Sequence, residues 1–141
     1  KVQYFGVSNF TAAQFRMLSK FIPFPLVTNQ VELSVSCTEP FFNGDVDVLM
    51  EHGVAPMAWS PLAGGKSFTE QDKLEALAAE RGMTASQLSL AWLLTHPSRI
   101  FPVIGTTKAE RIIESAAASE MTLDRDDWFQ VLHWSRGYDI P

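Results

Sequence analysis

Cysteine is nearly absent from this 141-residue chain; the single Cys37 cannot form an intramolecular disulfide, so a reducing cytoplasm is the expected setting. Positive charge is also short, with 11 Lys and Arg against 16 Asp and Glu. At a net charge of −5 there is no basic excess to displace counterions from a nucleic acid or to hold an anionic membrane. No stretch approaches the roughly 18 apolar residues of a membrane span. Lys1 leads at once into a strand pattern, unlike a secretion signal. A start inside a strand and without Met suggests a cut chain. Acid–base groups are scarce too: two Tyr, three His, and no His/Cys/carboxylate group at metal-ligand spacing.

What is present is an alternation. Apolar runs at 4–7, 26–31, 55–59 and 101–104 each lead into a polar loop and then a helix with a recognisable start. Thr11 with Gln14, Thr84 with Gln87, and Thr107 with Glu110 read as capping boxes. Helices are expected over about 11–21, 45–52, 72–81, 84–95 and 107–118, with a last one from Asp124, whose partner is Asp127. Gly53 and Gly82 stop two of them, and Pro97 lies beyond the end of a third. The helix at 84–95 is apolar nearly all round and should be covered on more than one side. Strands alternating with helices imply parallel pairing through right-handed crossovers in one α/β domain. Four βα units are too few to close a (β/α)8 barrel, whereas a doubly wound sheet would accept four strands.

Ligands of α/β folds bind where strands end and helices begin, and four such junctions carry polar or glycine-rich residues. Ser8 and Asn9 follow the first run; they either begin a turn or hydrogen-bond an amide-bearing ligand in both directions. Gln30 sits inside an apolar strand, where its carboxamide must find a partner. Trp59 ends the third run as core or as a platform. After it, Ser60, Leu62, Gly64 and Gly65 form either a flexible turn or a loop bringing backbone amides close to a pyrophosphate, with Lys66 adding charge beside them. In "GTTKAER", Lys108 and Arg111 fall in the first turn of a helix, where cations oppose the macrodipole unless an anion neutralises them. The bland reading there is a solvated helix start.

Taken together, "GVSNF" (6–10), "TNQVELS" (28–34), "MAWSPLAGG" (57–65) and "PVIGTTKAERIIES" (102–115) resemble, in order and spacing, the second half of an aldo-keto reductase. The tail "WFQVLHWSRGYDIP" is similar to a bacterial branch of that family. The resemblance implies a (β/α)8 TIM-barrel type of fold, of which this chain supplies strands five to eight and their helices. It implies NADP(H) as cofactor and a small-molecule carbonyl substrate for the full-length parent. Ser8, Asn9 and Gln30 would hold the nicotinamide carboxamide, and Trp59, where the family usually has tyrosine, would stack on the ring. Thr106, Thr107, Lys108 and Arg111 would bind the adenosine 2′-phosphate, and Glu114 and Ser115 the adenine. Gly105 stands where many members have lysine, and Ser115 where many have asparagine, so the preference for NADPH over NADH stays open.

The family's catalytic tyrosine, lysine, histidine and aspartate belong to the first half of its barrel, and no catalytic residue is assigned here. Tyr4 opens a strand at the wrong end, Tyr138 is in the tail, and His52, His96 and His133 lie at or within helices as structural residues. Cys37 has no base nearby in sequence. The alternative is a non-catalytic half-barrel that binds nucleotides or self-associates; two open sheet edges would favour self-association.

Overall fold

β-Branched and aromatic runs between turn residues give four short parallel strands in the computed structural model, which describes residues 1–65 and 68–138. They are β1 (Phe5–Ser8), β2 (Leu26–Glu32), β3 (Met57–Trp59) and β4 (Phe101–Val103), side by side in chain order. The helices are α1 (Ala12–Phe21), α2 (Asp45–Glu51), α3 (Gln71–Glu80), α4 (Ala85–Thr95), α5 (Ala109–Ala117) and α6 (Arg125–Arg136).

Most helix starts follow the sequence. Thr11 and Thr84 each accept from the third helical amide, and Gln14 and Gln87 reach back to the cap N–H groups. The Asp124 carboxylate accepts from the Asp127 N–H. The expected Thr107–Glu110 box is not formed. Lys108 is the cap residue of α5 in extended backbone, and its N–H donates to the Thr106 hydroxyl at 3.2 Å. This turn begins the helix one residue later and leaves Thr107 outside it. Strand limits also differ from the apolar runs: β1 is shifted one residue on, so Ser8 is its last residue, and β3 keeps only three residues of the run from Ala55. The loop after β2 holds a 3₁₀ turn, Glu39–Phe41, for which Pro40 gives a ready start.

The core lies between the sheet and the helices. Leu33, Ala58, Leu74, Leu88, Trp92 and Val131 are wholly buried in its larger part, and Phe15, Leu26, Val48 and Leu49 form a smaller part under α1 and α2. Helix α4 is enclosed from Leu88 to Leu93, as its unbroken apolar surface requires. Helix α6 closes over it: the Trp92 and Trp128 rings stack at 5.2 Å, and each indole N–H donates to the other's carbonyl, at 3.0 and 2.9 Å. At its start, α6 is tied to the end of α3 by a two-pronged ion pair, Arg81 Nε and Nη2 to the Asp127 carboxylate at 2.6 and 2.8 Å. Asp127 is only 5% exposed, so this arginine is its main compensation.

His96 caps the end of α4, stacks on Phe41 at 4.4 Å, and its Nδ1 lies 2.8 Å from the Ser98 hydroxyl. Burial lowers its pKa from 6.5, against a smaller opposing pull from Asp47. The unfolded chain therefore binds the proton first. The His96 contribution to stability is complete above about pH 6.5 and is lost as the pH falls below it. Urea midpoints measured from pH 7.5 to 5.5 should decline in the wild type and decline less in His96→Gln; parallel declines would contradict the assignment.

Candidate functional site

Alternation along the strands separates two faces. In β2, Asn29 and Val31 are buried toward the helices, while Thr28, Gln30 and Glu32 fall on the opposite face. Gly6 shares that face with Thr28, since a Cβ on Gly6 would meet Thr28 Cγ2 at 2.6 Å. Val7 and Ala58 belong to the two cores, so Ser8, Met57 and Trp59 point the same way as Gln30. The register sets Ser8 beside Gln30, Gln30 beside Met57 and Met57 beside Phe101. The next row pairs Glu32 with Trp59 and Trp59 with Val103. At the carboxyl ends of the strands the sheet thus carries a hydroxyl, a carboxamide and an indole on one open face.

Local bonds fix this cluster. The Ser8 hydroxyl and the Asn9 N–H both donate to the Gln30 carbonyl, at 3.1 and 2.9 Å. Asn9 adopts the left-handed conformation, φ 56°, which asparagine tolerates better than most residues. Its Oδ1 accepts from Trp59 Nε1 at 2.9 Å. The Gln30 side chain, expected to need a partner, bonds none of the described residues and is half-buried on the open face. The carboxamide satisfied within the fold belongs to its neighbour Asn29, outside the expected set. Asn29, wholly buried, donates Nδ2–H to the Phe10 carbonyl at 2.7 Å and accepts from the Phe10 N–H at 3.3 Å. It pins the loop that carries Asn9, and a second carboxamide in an apolar strand was its signal in the sequence.

The second cluster lines a cleft of about 770 Å³ beyond β3 and β4. One wall is the turn after β3, with Ser60, Leu62, Gly64 and Gly65, in which Ser60, Gly64 and Gly65 take left-handed backbone. The other wall is Gly105 and Thr106 with Arg111, Glu114 and Ser115 of α5. Helix α4 adds Ala85, Ser86 and Ser89. Thr107 and Lys108 stand at the start of α5 without lining the cleft, and Lys66 lies outside the described residues. Arg111 is the third residue of α5, so a cation does occupy its first turn, where anions are favoured. One oxygen of Glu114 is held by the Thr84 hydroxyl at 2.7 Å, and Gln87 Nε2 donates to the Glu114 carbonyl at 3.3 Å. The same Thr84 that caps α4 therefore steadies α5 across the cleft.

The remaining titratable candidates are engaged elsewhere. Tyr4 and Tyr138 do not line the cleft, and Tyr138 bonds Arg136. His52 bonds the Val48 carbonyl and His133 the Tyr138 carbonyl, each through Nδ1. Burial raises the Cys37 pKa, which disfavours its thiolate. Among the described residues, no group of His, Cys, Asp and Glu could hold a metal ion, and no helix is long and apolar enough to cross a membrane.

The Aldo/keto reductase family model matches residues 1–133. The chain is 46% identical over 150 residues to the oxidoreductase YcsN of Bacillus subtilis, covering all of this chain and 50% of that protein. It is 41% identical over 145 residues to 6-dehydroglucose reductase of Agrobacterium fabrum, covering 99% of this chain and 49% of that one. Among solved structures, a thermostable aldo-keto reductase in complex with the inhibitor epalrestat superimposes with a TM-score of 0.87 at 26% identity, over 93% of this chain and 48% of the other. The chain thus spans about half the length of the curated relatives it matches, and its four-stranded parallel sheet is half of their barrel.

Close approach of β1 and β2 underlies the first cluster. Gly6→Ala would press its methyl on Thr28, whose hydroxyl is held by the Ala55 carbonyl at 2.9 Å. Overpacking of this kind costs about 1–3 kcal/mol. Denaturant titration should show that loss, and a smaller one in a Thr28→Ser background; equal losses would show that the contact is not the cause.

Proposed function

The chain belongs to the aldo/keto reductase family, and from that premise we propose that it is the NADP(H)-binding part of a carbonyl reductase. The observation that carries this reading is the pairing of a hydroxyl–carboxamide–indole set on the open sheet face with a glycine-lined cleft that ends at the cationic start of α5. The carboxamide end of the dinucleotide would meet Ser8, Asn9 and Gln30 and its ring would lie on Trp59. The pyrophosphate would follow the turn of Ser60, Leu62, Gly64 and Gly65. The 2′-phosphate would be held by Thr106, Thr107, Lys108 and Arg111, and the adenine would lie by Glu114 and Ser115. When bound, the cofactor supplies a hydride that reduces an aldehyde or ketone to an alcohol. This chain's residues bind and orient: the amide set fixes which ring face is offered, and the cations neutralise phosphate charge. The whole protein's substrate class, small carbonyl compounds, and a cytoplasmic location follow from the same reading.

Arg111→Ala should remove a charge-assisted contact of about 1.5–3 kcal/mol, roughly ten- to a hundredfold in affinity for NADPH, with little change for NADH. Gly105→Lys has room, with no atom within 4 Å of its Cβ position, and should strengthen NADPH binding. Calorimetry giving equal affinities for the two cofactors, unchanged in both variants, would overturn the assignment.

The chain alone should oxidise NADPH with reactive aldehydes no faster than a blank, because no Tyr or His among the described residues stands beside the amide set to act as general acid; turnover above about one per minute would contradict this, against the ~10 per second of ordinary enzymes.

Self-association of the chain is part of the same proposal. Strands β1 and β4 each have one neighbour, and Tyr4, Phe5 and Phe101 are 72%, 41% and 62% exposed beside those edges. Light scattering over a wide dilution range should report a mass above 15.7 kDa; a stable species at that mass would refute association.

A further inference from the structure

We propose that Trp59 is a positioning residue that sets the hydrogen-bonding sense of the amide site, so that Asn9 turns its Nδ2 donor to the ligand while Ser8 accepts. The indole Nε1 is a donor and never an acceptor, so the Asn9 atom 2.9 Å from it is the carbonyl oxygen Oδ1. The Asn9 Nδ2 group is thereby turned to the opposite side. The Ser8 hydroxyl proton is committed to the Gln30 carbonyl, which can only accept, and this leaves Ser8 its lone pairs. A primary carboxamide needs one donor for its oxygen and one acceptor for its N–H, which is the pair presented. A carboxylate in the same position would find the Ser8 lone pairs opposed to its second oxygen.

The reach of the contact is part of the inference. Trp59 is on β3 and Asn9 follows β1, with β2 between them, so the indole spans about two strand spacings, roughly 10 Å. Its N–H lies in the ring plane, and the bond to Asn9 leaves a π face free to carry a flat ligand ring. The tyrosine that the resemblance leads one to expect here has a hydroxyl that both donates and accepts, and would leave the Asn9 amide free to turn. The clamp also holds Asn9 in left-handed backbone, a conformation that carries a cost unless its surroundings enforce it.

This inference rests on the NADP(H) reading, and the test separates the two. Binding of NADP⁺ and of its nicotinic acid analogue, which has a carboxylate in place of the carboxamide, is measured by calorimetry on the chain. In parallel, the Trp59 indole N–H is followed by ¹⁵N NMR and hydrogen exchange without ligand. The wild type should prefer the amide at least tenfold. Trp59→Phe, which keeps an aromatic face, should cut that preference threefold or more while binding of adenosine 2′,5′-bisphosphate stays unchanged. Asn9→Asp, which keeps the acceptor for the indole, should leave the Trp59 signal protected and still lose the preference for the amide. Asn9→Ala should shift that signal and remove its protection. An unchanged preference in Trp59→Phe, or an indole signal indifferent to Asn9→Ala, overturns the inference and leaves the NADP(H) reading standing. Failure of both dinucleotides to bind overturns the two together.

Discussion

In-register parallel pairing of four strands is the constraint on which the rest depends. Parallel strands put all their carboxyl ends on one side, and the register sets Ser8 beside Gln30 and, one row on, Glu32, Trp59 and Val103 in adjacent positions there. A slip of one residue in β2 would turn Gln30 into the core and Asn29 out of it. The buried Asn29 guards against that slip, because only in this register do its carboxamide groups meet the Phe10 backbone. Chain geometry and candidate chemistry are therefore one arrangement. The glycine at position 6 leaves no room for a Cβ against Thr28 within it.

The helices hold this sheet open on one face by burying the other. Helix α4 lies in the larger core with Leu88, Ala91, Trp92 and Leu93, and the Trp92–Trp128 stack with its reciprocal hydrogen bonds seals α6 on it. The Arg81–Asp127 pair ties the start of α6 to the end of α3. Thr84 connects the same scaffold to the cleft: one hydroxyl caps α4 through the Gln87 N–H and donates to Glu114 on α5. The wall bearing Arg111 and Ser115 is thus set by a helix cap, and the cleft gains its shape from the core's own boundary.

Much of this was legible in the sequence. The order of strands and helices, two capping boxes and the Asp124 cap follow from spacing and short polar side chains, because the interactions that decide them lie within four residues. The motifs around Ser8, Gln30, Trp59 and Thr106 carried the family. What stayed hidden depends on partners distant in the chain or on backbone shape. The start of α5 was misread because Thr106, not Thr107, makes the turn that sets it. The Asn29 carboxamide is satisfied by the backbone of Phe10, 19 residues away in the chain. The Trp59–Asn9 bond joins residues 50 apart, and no local pattern announces it.

The central claim is that the open sheet face and the cleft form one dinucleotide site. A crystal structure of the chain with NADP⁺ tests it most directly. The account expects the nicotinamide ring on the Trp59 indole with its carboxamide against Ser8, Asn9 and Gln30, the pyrophosphate along the turn at 60–65, and the 2′-phosphate at Arg111. A dinucleotide seated away from the cleft, or one with its nicotinamide end at α5 and its adenosine end on the sheet, would contradict it.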